Sequence, residues 1–210
     1  MNPTHDSDIA PDAPRERLDH ETRTAQIYQE AARLFCEQGF GQASMSDVAS
    51  ATGMTKAGVY HHIESKDELL YGIMSYGMDL FEEMVYDRVV GIGDPLERLR
   101  ETIRAHVLLV TRDRPKELTV VLNETVALKG EYLQEINRRR RRYVRFLERT
   151  FQELIDLGYA RAIDPRVATF ALAGMINWIY QWYQPTGRIK PTELADSYVD
   201  LFLGGVLAHS

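Results

Sequence analysis

The sequence predicts an all-α fold of about nine helices, with a short helix-turn-helix unit near the amino terminus and a larger helical unit after it. Three observations lead there. Apolar residues recur at helical spacing from Asp19 onward, and no alternating run reads as a strand. Helix starts are marked repeatedly by Ser, Thr or Asp caps, or by a proline at the first helical position. Helix ends fall at glycines, notably Gly39, Gly53 and Gly158.

Taken in order, residues 1–17 hold Pro3, Pro11 and Pro14 among acidic and small polar residues, a composition expected to stay disordered. From Asp19 a first helix puts Ile27, Ala31, Leu34 and Phe35 on one face; Cys36, beside Phe35, reads as a small core residue. Ser44-Met45-Ser46-Asp47 is a capping box, in which the serine hydroxyl and the aspartate carboxylate satisfy free amides at the start of a second, short helix. Thr55 caps a third, from Lys56 to Ile63, and Ser65 opens a fourth that carries Leu69, Leu70, Ile73 and Met74. Asp94-Pro95 starts a helix reaching Thr111, and the same device recurs at Arg114-Pro115, Asp164-Pro165 and Lys190-Pro191. Residues 131–157 form a long proline-free helix closed by Gly158.

Bulk properties narrow the function classes. With 210 residues, 44% of them hydrophobic, the chain can bury a proper core. The lone Cys36 excludes an internal disulfide, and no stretch has the basic start and apolar centre of a secretory leader, so a reducing, cytoplasmic setting is expected. The longest nearly apolar stretch, residues 169–180, falls short of the roughly 20 residues of a membrane span and is interrupted by Asn177. Charge gives no sign of nucleic-acid binding: the net charge is −6, and residues 1–70 carry 6 Lys/Arg against 12 Asp/Glu. Any such reading has to come from local pattern.

That pattern exists in residues 44–66. A helix-turn-helix needs a short support helix, a residue that lets the turn bend sharply, and a second helix whose amino-terminal end reaches base edges. Val48 and Ala49 are placed to pack inward, Gly53 gives the turn, and Met54, Val59 and Ile63 anchor the second helix, which leaves Lys56, Ala57 and Gly58 facing outward. Small residues there let the backbone approach the major-groove floor, and Lys56 can donate to guanine or phosphate. Hydroxyls at Ser44, Ser46, Thr55 and Tyr60, the imidazoles of His61 and His62, and Lys66 suit phosphate oxygens. Spacing alone fits an ordinary helical hairpin of a core equally well.

The runs Gln38-Gly39-Phe40, Ser44 to Ala49, Gly53 to Ile63 and Ser65 to Leu70 closely resemble the amino-terminal domain of the tetracycline-repressor family. The resemblance implies a homodimeric repressor whose two recognition helices enter successive major grooves of a palindromic operator. It also implies DNA contacts from Ser44, Lys56, Tyr60, His61 and Lys66. Ile63 stands where the family more often has phenylalanine, and Met54 where it often has valine; both are apolar exchanges. The implied organisation is a DNA-binding domain at residues 18–70 and a ligand-binding and dimerisation domain at residues 71–210.

In the second part, Arg138 to Arg142 and Tyr143 dominate. On a helix Ile136, Arg140, Tyr143, Val144, Leu147, Phe151 and Leu154 fall along one apolar stripe, so Arg140, with Arg139 beside it, is expected to point inward. A guanidinium there needs an anion, either Glu124 or another acidic side chain, or a ligand phosphate or carboxylate. A solvated arginine face with a few ion pairs is the plainer alternative. Trp178 and Trp182 lie one turn apart, suited to pocket, dimer seam or simple packing. Together with residues 143–147 and 191–195, residues 177–188 resemble the subgroup that responds to acyl-coenzyme A thioesters in fatty-acid, phenylacetate and sterol-ring degradation. Gln181 replaces an arginine of that pattern, and Thr186 is inserted between Pro185 and Gly187. The ligand residues this suggests are Arg139, Arg140, Tyr143, Phe146, Asn177, Trp178, Gln181 and Trp182.

Catalysis and metal binding find little support. No Walker loop, dinucleotide fingerprint or zinc-ligand spacing occurs, so no cofactor is expected. His61 and His62 are adjacent and diverge by about 100° on a helix, which argues against a shared metal. An all-helical enzyme using Glu124, His106 and the arginines would leave the capped helix-turn-helix unexplained. By analogy with the family, the last two helices form the dimer interface, with Leu194, Tyr198, Leu201, Phe202 and Val206 as its apolar stripe.

Overall fold

Capping chemistry sets the helix boundaries. In a computed structural model, which describes residues 14–112 and 116–208, α1 (Pro14–Gln38), α2 (Met45–Ala51), α3 (Lys56–His62) and α4 (Lys66–Phe81) come first. α4 runs on through a π turn at Glu82–Tyr86 and a final turn at Asp87–Val89. Then follow α5 (Pro95–Arg112), α6 (Lys116–Asn123), a 3-10 turn at Thr125–Ala127, α7 (Gly130–Asp156), α8 (Pro165–Asn177, with a short continuation at Ile179–Trp182) and α9 (Pro191–Val206). Among the described residues these nine helices are joined by no sheet; an isolated bridge pairs Ala160 with Leu207.

The first helix begins earlier than its sequence suggests. Pro14 sits in its first turn, where the missing amide costs nothing, so residues 14–17 are helical and not part of a tail. Residues 1–13 and the Arg114-Pro115 start lie outside the described residues. Cys36 is exposed, not a core residue: it follows Phe35 by one position, and that step turns it off the buried face of Ile27, Ala31 and Phe35.

Two large apolar cores organise the chain, with a third, small cluster of Phe81, Val85 and Leu109 beside them. The first joins Ile27, Phe35, Val48, Val59 and Ile63 to Leu69, Leu70, Ile73 and Met78, and it draws in Val120, Val121 and Ile136 from α6 and α7. The second packs Leu99, Ile103 and Val107 of α5 against Phe151, Leu172, Val199 and Phe202. α4 is the rod between them. It crosses α6 closely at Gly77, where an added Cβ would come within 3.0 Å of the Glu117 backbone. Farther along, Arg139 of α7 clamps α4, donating to Asp79 at 2.6 Å, to Glu82 at 3.0 Å and to the Ser75 hydroxyl at 3.2 Å.

α9 lies along α5, and this changes the reading of its apolar stripe. Leu194, Phe202 and Val206 are buried within the chain itself, because α5 offers them an apolar face; Leu201 alone of the expected stripe stays well exposed. The uncovered apolar side chains of this end include Val167, Phe170, Trp178, Trp182 and Leu201.

Candidate DNA-reading helices and ligand cavity

The first candidate site is built from three consecutive caps. The Ser44 hydroxyl accepts from the Asp47 amide at 3.2 Å, while the Asp47 carboxylate accepts from the Ser44 amide and hydroxyl at 2.8 and 2.7 Å. Those bonds hold the Asp47 carboxyl below its ordinary range. Thr55 accepts from the Gly58 amide at 3.0 Å, and Ser65 from the Glu68 amide at 3.1 Å. Gly53 between α2 and α3 has φ +65°, a left-handed conformation that glycine adopts without steric cost. α3 therefore starts at a fixed angle to α2, and Val59 and Ile63 lock it to the first core.

The outward face matches the sequence pattern in most positions. Ser44, Ser46, Thr55, Lys56, Ala57, Tyr60 and His61 are exposed, and Gly58 is half-buried against Thr55 and Met54. Lys56 lies 6.0 Å from the Tyr60 ring centroid, so the two share one face. Lys66 is spoken for within the chain: its ammonium donates to the Phe40 carbonyl and sits 4.3 Å over the Phe40 ring. His61 and His62 gather with His20 of α1, the His20 and His62 rings 4.3 Å apart, and the Thr24 hydroxyl lies 3.3 Å from His62 Nδ1. Partial burial lowers the His62 pKa, helped by neighbouring His20, His61 and Arg23. No metal-ligand cluster occurs among the described residues.

The second candidate site is a cavity of about 330 Å³ between α4, α5, α6, α7 and α8. Its walls are mainly apolar, from Met78, Phe81, Val110, Leu118 and Leu122, with Phe170 closing one side. A neighbouring cavity of about 320 Å³ shares Val110, Leu118, Leu122 and Asn177 with it and opens beside Cys36 and Lys116. Although Cys36 is exposed as a residue, partial loss of water around its sulfur pushes the thiol up to about 11, which keeps it protonated and poorly nucleophilic.

Of the ligand residues suggested by sequence, Arg140, Tyr143 and Asn177 line the first cavity. Arg140 reaches its rim, where loss of water lowers the guanidinium pKa. Arg139 turns instead to the acids of α4, and Glu124 is not its partner; the Glu124 carboxylate accepts from the Phe40 amide at 3.2 Å. Phe146 is buried between Tyr86 and Tyr143, away from the cavity wall. Trp178, Gln181 and Trp182 lie on the surface. α8 is interrupted at Trp178 and resumes at Ile179–Trp182, and both tryptophans are exposed.

The cavity's most informative polar residue, His106, was not singled out as a ligand group by sequence. Its signal was present: a lone histidine beside the apolar row Leu99, Ile103, Val107 of α5. Burial pushes its imidazole down to about 4, so it is neutral at ordinary pH.

A capped helix-turn-helix with an open face, joined by one long helix to a helical body that holds an apolar cavity, defines a one-component regulator. The comparisons specify which. Residues 27–72 match the model of bacterial regulatory proteins of the tetR family, and residues 93–206 match a tetracyclin repressor-like C-terminal domain. The crystal structure of AibR in complex with isovaleryl coenzyme A and operator DNA is 46% identical, with a TM-score of 0.81 over 85% of this chain and 97% of that one. PfmR from Thermus thermophilus is 31% identical, with a TM-score of 0.75 over 85% of this chain and 97% of its own. The transcriptional repressor KstR2 of Mycobacterium tuberculosis is 23% identical across 88% of this chain and 93% of its own length. The chain belongs to the tetracycline-repressor family: it is a DNA-binding transcriptional repressor of that type, and the family and these relatives are regulators, not enzymes. No helix among the described residues is long and apolar enough to cross a membrane.

Proposed function

We propose that this chain is a cytoplasmic, homodimeric repressor that leaves a palindromic operator when an acyl-coenzyme A thioester enters the cavity. The observation that carries this reading is the apolar cavity with an arginine at its rim, in a chain 46% identical to a regulator crystallised with isovaleryl coenzyme A and operator DNA. The acyl group occupies the space between Met78, Phe81 and Leu122, and Arg140 faces the anionic part of the ligand. Arg139, already satisfied by Asp79 and Glu82, holds α4 in place and does not bind the ligand.

Residues 18–70 read the DNA. Lys56, Ala57 and Gly58 approach base edges in the major groove, while Ser44, Ser46, Thr55, Tyr60 and His61 serve phosphates; Lys66 braces the turn before α2. Residues 71–210 form the sensor, and the exposed Val167, Phe170, Trp178, Trp182 and Leu201 meet their counterparts in the second copy. Because α4 carries Leu69 and Ile73 in the DNA-side core and Met78 and Phe81 in the cavity wall, a ligand that moves its far end also moves α3. A few kcal/mol of differential affinity is enough to shift such an equilibrium.

The test is a mobility shift with the DNA upstream of the chain's own gene, titrated with isovaleryl coenzyme A and a panel of other thioesters. Release by a short-chain thioester is expected, and Arg140→Ala should blunt it without changing binding in the absence of ligand. If no thioester releases DNA or raises the melting temperature, a free aromatic or drug-like effector takes its place.

A further inference from the structure

The cavity wall is interrupted by two polar residues, one of which carries a hydroxyl that the described residues leave unserved. His106 of α5 and Tyr143 of α7 stand with ring centroids 6.1 Å apart, and both meet Phe81 edge-on, at 5.0 and 4.6 Å. The Tyr143 hydroxyl is shut off from solvent and has no hydrogen-bond partner among the described residues. Burial is the sole cause of the shifts at both residues, down for the imidazole and up for the phenol, with no charged or hydrogen-bonding neighbour contributing. Both are therefore neutral hydrogen-bonding groups in an apolar setting. A buried hydroxyl left without a partner destabilises the fold, whereas phenylalanine would fill the same space without that cost.

Such a pair is complementary to one kind of ligand feature. A carboxylate or phosphate would want a cation, and the nearest cavity-lining cation, Arg140, is a separate residue at the rim. A hydrocarbon would leave the Tyr143 hydroxyl unserved and offer nothing to the imidazole beside it. A neutral oxygen satisfies them: a carbonyl accepts from the phenol, and a hydroxyl can also donate to the imidazole.

We propose that Tyr143 and His106 form a recognition point for a neutral carbonyl or hydroxyl oxygen, so that the cavity selects an oxygen-bearing apolar group over a hydrocarbon of the same size. This rests on the cavity being the effector pocket. The oxygen has two possible sources in a thioester, its own carbonyl or a hydroxyl on the acyl chain, and the test separates them.

The experiment compares the full chain with its Tyr143→Phe variant in three measurements. The first is the melting temperature without ligand, expected to be equal or higher in the variant; a clear drop would mean the hydroxyl is already satisfied, and would overturn the proposal. The second is binding of cyclohexanol and methylcyclohexane, followed by ligand-detected NMR. Cyclohexanol should bind the variant about three- to tenfold more weakly, the worth of one hydrogen bond, with methylcyclohexane unchanged or tighter. Equal effects on both probes, or binding of neither to the parent chain, would sink it. The third is operator release by isovaleryl coenzyme A and 3-hydroxyisovaleryl coenzyme A. If the variant loses response to both equally, the thioester carbonyl is the oxygen held; if mainly to the hydroxylated one, it is the acyl hydroxyl. Thioester release that Tyr143→Phe leaves unaltered overturns this proposal and leaves the acyl-coenzyme A reading standing. The cyclohexanol result without any thioester response does the reverse.

Discussion

The helix-turn-helix segment and the cavity differ in how they are assembled. Residues 44–66 build their site from neighbours in sequence: three caps, one glycine turn, and side chains a few positions apart. The cavity is assembled from α4, α5, α6, α7 and α8, and residues as distant as Met78 and Asn177 share it. Local bonding fixes the first, whereas core packing fixes the second. Damage to packing should therefore cost more than loss of any cap, and the DNA face should tolerate changes that leave stability untouched.

The largest effect is expected from Phe151→Ala. This ring is fully buried in the second core, and its removal should cost about 3–5 kcal/mol in denaturant unfolding, with ligand binding lost alongside. A much smaller cost would mean that the second core can collapse around the gap.

Next comes acid. The unfolded chain protonates His106 near its ordinary value of 6.5, but the folded chain does so only near about 4. Below 6.5 the unfolded state thus binds more protons, so stability is full above that pH and falls as pH drops toward 4, by on the order of 3 kcal/mol. His106→Leu should flatten this limb of the stability profile. An unchanged slope would show that other groups govern acid unfolding.

On the DNA side, Lys56→Ala should weaken operator binding by about 1–3 kcal/mol with the melting temperature unmoved, provided Lys56 makes a bidentate base contact. Intact affinity would remove it from the reading surface. Ser44→Ala is the mildest: loss of the cap should cost about 1 kcal/mol of stability, detected as a small shift in the unfolding midpoint.

The same contrast explains what could be read from sequence. Starts at Ser44, Thr55, Ser65, Asp94 and Asp164 were legible because each cap bonds within three residues, as in the Glu97 amide donating to Asp94 at 2.7 Å. Pro14 misled, since a proline that opens a helix looks like one that prevents it. On α7 the helical repeat correctly grouped Ile136, Leu147, Phe151 and Leu154, yet could not say that Arg139 would find Asp79 and Glu82, because those acids lie on another helix. The tryptophans, suited by sequence to pocket, seam or packing, lie exposed outside the cavity lining, and the stripe on α9 is largely covered by α5, a partner that sequence spacing does not reveal. Tyr143 and His106 are visible as residues, but the Tyr143 hydroxyl's lack of a partner among the described residues is a property of the folded cavity alone.

The engagement of Lys66 with Phe40 has a consequence for how the operator is found. A cation held by a neutral carbonyl and an aromatic face keeps its charge but is not free to follow a phosphate, which leaves Lys56 as the principal lysine offered by the proposed reading surface. Each neutralised phosphate contributes close to one unit to the dependence of log affinity on log salt. The slope for this repressor should accordingly be shallow. Long-range attraction does little of the searching, and occupancy holds steady when ionic conditions in the cell change.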